Sequence, residues 1–153
     1  MKLFGFQLSK VEATIAIVVL AIGIFIFWKW AKVKSAAWKV WETLDKGISD
    51  GLASGEALSY DELQFSGWAS ALEAAMHGSG TDESAIYNVF RKMQHTTDLL
   101  FLIKKFGHRD KTNVLGRTKG TWDLSQWITD ELDAEEKDKL NKILVDKSIR
   151  YQF

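Results

Sequence analysis

The 153-residue chain contains no cysteine and no proline, only three histidines, and no net charge. Without cysteine there is no disulfide framework, no thiolate metal site and no cysteine nucleophile. Without proline, the strongest internal breaker of helices is missing throughout. His77, His95 and His108 fall at no short metal-binding spacing, and no His-Glu-x-x-His occurs. No glycine-rich phosphate loop follows a strand, no serine stands in a nucleophile elbow, and nothing singles out a carboxylate pair for glycosidic cleavage. The chain reads as a non-enzyme.

The zero balance conceals an asymmetry. Residues 1–48 carry seven lysines against Glu12, Glu42 and Asp45, a balance of +4, so residues 49–153 carry −4. A basic segment followed by an acidic domain is a poor match for nucleic acid, and no nucleic-acid partner is expected.

One long apolar run is present. Residues 13–30, from Ala13 to Trp30, are interrupted only by Lys29. As a helix the run would rise about 27 Å, close to the hydrocarbon thickness of a bilayer. Trp28 and Trp30 stand where an interfacial belt would lie, and Lys29 and Lys32 can reach the headgroups. The run exceeds a signal-peptide core, and basic residues rather than a small-residue cleavage site follow it. The expectation is a short flank at 1–12, a transmembrane helix at 13–30, a basic juxtamembrane helix and glycine-containing linker at 31–58, and a helical bundle at 59–153. The lysine excess after the run places the bundle on the cytoplasmic, or particle-interior, side of a single-pass membrane protein.

The rest reads as helical. Gly47, Gly51 and Gly55 mark a break and a loop. Ser59 and Glu62 form a capping box before a helix with Leu63, Trp68, Leu72, Ala75 and Met76 on one stripe. Thr81 N-caps a second helix carrying Ile86, Val89, Phe90 and Met93. A third runs from about Asp98 through Leu99, Leu102, Ile103 and Phe106 to Gly107. A short fourth piece holds Val114 and Leu115, a fifth Leu124, Trp127 and Ile128, and Asp133 with Glu136 caps a last one with Leu140, Ile143 and Leu144. The acidic run from Asp130 to Asp138 reads as a solvated helix face. No alternating stretch suggests a sheet, so the fold class is all-α. Leu72, Ile86, Phe90, Leu102, Ile103, Phe106, Leu124, Trp127 and Ile128 form the expected core.

The connection Met76-His77-Gly78-Ser79-Gly80-Thr81-Asp82-Glu83 resembles the calcium loop of an annexin repeat, Lys-Gly-x-Gly-Thr-Asp-Glu. Ala71–Met76 and Ala85–Phe90 are similar to the family's first two helices. Phe106-Gly107-His108-Arg109-Asp110 and Gly120-Thr121-Trp122-Asp123 are similar to stretches after its third helix, and the match covers roughly residues 65–130. The resemblance implies a small helical bundle and a Ca²⁺ site made by the carbonyls of Met76, Gly78 and Gly80, closed by the carboxylate of Asp123. Independently, Gly78 and Gly80 permit the backbone angles that let carbonyls converge on a hard cation. The alternative is a tight helix–helix corner with no ion, in which case the chain needs no cofactor.

Two functions follow. In the first, an anchored structural protein docks a protein partner beside a lipid bilayer, linking membrane to shell in a lipid-containing virus particle or an envelope assembly. In the second, the chain is a calcium-dependent phospholipid-binding module of annexin-repeat type. Seven tryptophans in so short a chain favour a surface kept for a protein partner. A homo-oligomer is compatible with either.

Overall fold

The computed structural model describes residues 2, 3, 6, 7 and 39–153, except 79, 113 and 114. The chain divides into two compact units, Met1–Glu42 and Thr43–Phe153. In the first, strands β1 (Lys2–Leu3) and β2 (Phe6–Gln7) pair antiparallel, Lys2 opposite Gln7 and Leu3 opposite Phe6. The expected span at 13–30 lies outside the described residues. Among the described residues, no helix is long and apolar enough to cross a membrane. The 14-residue helix Glu62–Ala75, for example, rises only about 21 Å, short of the roughly 30 Å of a hydrocarbon core. The description of the chain as a single-pass membrane protein, with its bundle on the cytoplasmic or particle-interior side, is corrected accordingly.

Helix α1 covers 39–53, with Leu44 and Ile48 buried one turn apart. Gly47 and Gly51 lie inside this helix rather than at a break. A Cβ at Gly47 would meet Leu100 Cδ1 at 2.7 Å, and one at Gly51 would meet Thr97 Oγ1 at 2.0 Å. These two glycines, four residues apart, are where a neighbouring helix comes close.

That neighbour is α4 (Thr96–Phe106), which also packs against α2 (Glu62–Ala75). Asp98, fully buried, accepts hydrogen bonds from Ser59 N (3.0 Å) and Gln94 N (2.9 Å), pinning the segment before α2 to the start of α4. Ser59 is not the cap of α2. Asp61 is, accepting from Gln64 N at 2.8 Å. The buried stripe of α2 is Phe65, Ala69 and Leu72, continued by Met76, while Leu63 is 81% exposed. The expected stripe was therefore rotated: the spacing 65, 69, 72, 76 holds one helical face, and Leu63 falls off it.

Helix α3 (Glu83–Phe90) packs on α2 and on α6 (Ala134–Asp146). Its cap is Asp82, accepting from Ala85 N at 2.9 Å, rather than Thr81. Helix α5 (Leu124–Glu131) buries Leu124, Trp127 and Ile128, and α6 opens on the expected Asp133–Glu136 capping box. All nine expected core residues are buried.

The all-α reading is corrected by a second hairpin. Strands β3 (Arg109–Thr112) and β4 (Thr118–Trp122) pair antiparallel, Arg109 opposite Trp122 and Lys111 opposite Gly120, with a bulge between Lys111 and Thr112. The fold is thus mostly helical with a small two-stranded element between α4 and α5. Leu115 lies in the connecting turn rather than in a helix, and Val114 is outside the described residues. Apart from Trp122 at the end of β4 both strands are polar, and Lys111 is their one fully buried side chain. No hydrophobic alternation existed to announce them.

Candidate functional site: the 76–83 corner and the α5 groove

Met76 caps the C-terminus of α2, and its N–H bonds back to the last turn. Gly78 (φ 106°) and Gly80 (φ 116°) then take the positive φ that glycine tolerates and other residues rarely adopt. The chain turns back so that Asp82 N reaches Ala75 O at 2.9 Å. The loop is therefore built as its glycines suggest.

What faces it is not what the resemblance implies. Lys111, from β3, points inward with only 3% of its side chain exposed and donates to the Met76 carbonyl at 2.8 Å. The same ammonium pairs with Glu131, lies 4.0 Å from an Asp130 carboxylate oxygen, and sits 4.1 Å from the centroid of the Trp127 ring. Thr81 donates its hydroxyl hydrogen to the other Glu131 oxygen. One carboxylate thus ties the loop, the hairpin and α5 together through a buried cation.

Asp123, the expected closing ligand, is engaged elsewhere. It N-caps α5, accepting from Gln126 N at 2.9 Å, while the Gln126 side-chain oxygen accepts from Asp123 N at 3.0 Å. Of the four expected ligands, Met76 keeps its carbonyl at the corner but gives it to Lys111. Gly78 and Gly80 are exposed loop residues. Among the described residues, no group of three or more His, Cys, Asp or Glu side chains could hold a metal ion. The donor set around Met76 does not fit a bound Ca²⁺, because an ammonium already occupies it. Lys111 and Glu131 were missed in the sequence: one stands in a strand without apolar neighbours, the other in an acidic run read as solvated.

On the outer side of α5, Trp122, Asp123, Ser125, Gln126, Thr129 and Asp130 line a shallow groove of about 530 Å³. The indole of Trp122, half-buried, stands at its end, fixed by the β4–α5 junction. Lys119 donates to both oxygens of Asp130 (2.8 and 3.1 Å) and lies 5.7 Å from the Trp122 ring centroid. An aromatic face, two carboxylates, hydroxyls and an amide offer stacking and hydrogen bonding to a basic segment. No family model, no curated protein and no solved structure matches the chain.

Proposed function

We propose that this chain is a non-enzymatic interaction protein whose helical unit docks a protein partner at the α5 groove, as a component of a larger assembly or shell. The observation that carries the reading is the groove itself, lined by Trp122 from the end of β4 and by the carboxylates of Asp123 and Asp130 at the cap and far turn of α5. Interfaces favour a rigid aromatic anchor with polar groups around it. The −4 balance of residues 49–153 adds a preference for a basic partner surface.

The alternative, calcium-dependent phospholipid binding, has less behind it, since the Met76 carbonyl on which it relies is held by Lys111. The test is a photo-reactive amino acid at Gln126 or Thr129 of the full chain, activated within the assembly that contains it. A discrete adduct to another polypeptide, lost when Trp122→Ala and Asp130→Lys are introduced, is the expected result. Cross-links to solvent alone, or adducts indifferent to those substitutions, would reject the docking role. An adduct between two copies of the chain would make the groove a self-association surface instead.

A further inference from the structure

We infer that the corner between the α2 terminus and α5 is a cation site whose resident cation is the chain's own Lys111, and that removing this amine opens it to a free Ca²⁺. The inference does not depend on the docking groove. Met76 is the C-cap of α2 and Glu131 is the last residue of α5, so two helices end here. Their carbonyl ends carry partial negative charge that favours a cation. Trp127, one turn before Glu131, adds the negative face of its indole at 4.1 Å from the ammonium. Glu131 is oriented by the Thr81 hydroxyl, which donates to one carboxylate oxygen and so holds the other against the ammonium.

The charges close around this arrangement. Asp130 and Glu131 bring two negative charges, answered by Lys119 on the outer side and Lys111 on the inner. Deleting the Lys111 amine leaves one carboxylate in excess, with Glu131 only 15% exposed and Asp130 reaching in from the outer side. The donors left behind are all oxygen: the Met76 carbonyl and the carboxylates of Glu131 and Asp130. Oxygen donors with net negative charge suit a hard divalent ion, and the space freed by a truncated lysine gives room for the ion with water. The loop with its glycines therefore keeps the shape of a cation-binding loop while a covalently tethered ammonium makes it independent of any free metal.

The experiment uses the full chain, with Ca²⁺ and its luminescent substitute Tb³⁺ as probes. In the wild type, thermal denaturation should be the same in millimolar calcium chloride and in chelator. In Lys111→Ala, calcium should raise the melting temperature by several degrees, and Tb³⁺ should emit when the neighbouring Trp127 is excited. Lys111→Met, which fills the space without a charge, should show neither effect. The double variant Lys111→Ala/Glu131→Gln should lose both. A wild-type calcium shift abolished by Glu131→Gln would overturn the inference, as would a folded Lys111→Ala chain with no calcium or terbium response. A measurement on the unmodified protein guards against a variant that does not fold: ¹⁵N-lysine spectra should show one slowly exchanging ammonium, missing in Glu131→Gln. Its absence from the wild type would overturn the tethered-cation assignment outright.

Discussion

At the scale of single residues, Lys111 and Glu131 act as a pair. Either charge alone at this site loses its direct partner, Lys111 keeping only Asp130 at 4.0 Å, and breaking a buried pair by removing one partner costs on the order of 3–5 kcal/mol. Lys111→Met and Glu131→Gln should each destabilise the chain by an amount toward that range, discounted because Glu131 keeps 15% of its side chain exposed. The double variant should recover much of the loss, because an apolar stem facing a neutral amide carries no stranded charge. A double-mutant cycle by denaturant unfolding measures this, and strict additivity would refute the coupling. Tyr87 offers a pH-dependent case. Burial, and then the nearby Glu136 carboxylate, raise its pKa above the usual 10.0, and its hydroxyl donates to the Glu136 carbonyl at 3.2 Å. A phenol whose pKa is higher in the folded state contributes stability that is complete below the unfolded pKa and lost as pH rises through the folded one. Above pH 10, Tyr87→Phe should therefore lose stability less steeply than the wild type. Identical alkaline profiles from denaturant titrations would contradict this.

At the scale of elements, glycine separates two roles that look alike in sequence. Gly67 lies inside α2 with nothing within 4 Å of a Cβ, whereas Gly51 in α1 would place one 2.0 Å from Thr97 Oγ1. Helix propensity favours alanine at both by about 1 kcal/mol. Gly67→Ala should accordingly raise the melting temperature, and Gly51→Ala should lower it, because Thr97 is buried and its hydroxyl is committed to Glu56 at 2.7 Å. A stabilised Gly51→Ala chain would show that α1 and α4 do not approach as closely as described. The same contrast explains what was legible beforehand. The apolar spacing of Ile86, Val89 and Phe90, or of Leu99, Leu102, Ile103 and Phe106, places the buried faces of α3 and α4 because burial there is decided by side chains three and four apart. Gly47 and Gly51 were read as a break because a glycine chosen for close packing and one chosen for a turn are the same letter. Hairpin β3–β4 was missed because its inward residue is a lysine. The site followed the same pattern: the glycine turn at Gly78 and Gly80 was visible, but the cation facing it comes from a polar strand that local pattern does not mark.

At the scale of the whole unit, the core is carried by aromatic and aliphatic contacts across α2, α3, α4 and α5. Phe65 meets Trp68 and Phe101 edge-on at 5.4 and 5.0 Å, and Phe106 meets Trp127 at 5.7 Å. Phe90 is fully buried and packs at 5.3 Å on Phe153. Phe90→Ala should cost roughly 3–5 kcal/mol, combining lost burial with the cavity left behind. Chemical denaturation followed by circular dichroism checks it, and a variant as stable as the parent would place Phe90 outside the core.

Lys111 also has a consequence in time. It meets Met76 across 35 residues and Glu131 across 20, while Glu131 meets Thr81 across 50. Helices α3 and α4 lie inside the first of these loops, so both must be in place before the ammonium finds its carbonyl. The helix pairs around it span as much chain, Tyr87 meeting Glu136 across 49 residues. A buried ammonium, however, gives up its water only once the corner, β3 and α5 have all closed on it, which places its pairing late. The tethered cation should then behave as a latch set behind the main folding barrier. Lys111→Met should speed unfolding by nearly the full stability loss while leaving the refolding rate almost unchanged, a φ-value near zero. Stopped-flow chevrons would read this directly, and a slowed refolding arm would mean that the corner assembles with the nucleus instead of sealing a chain already folded.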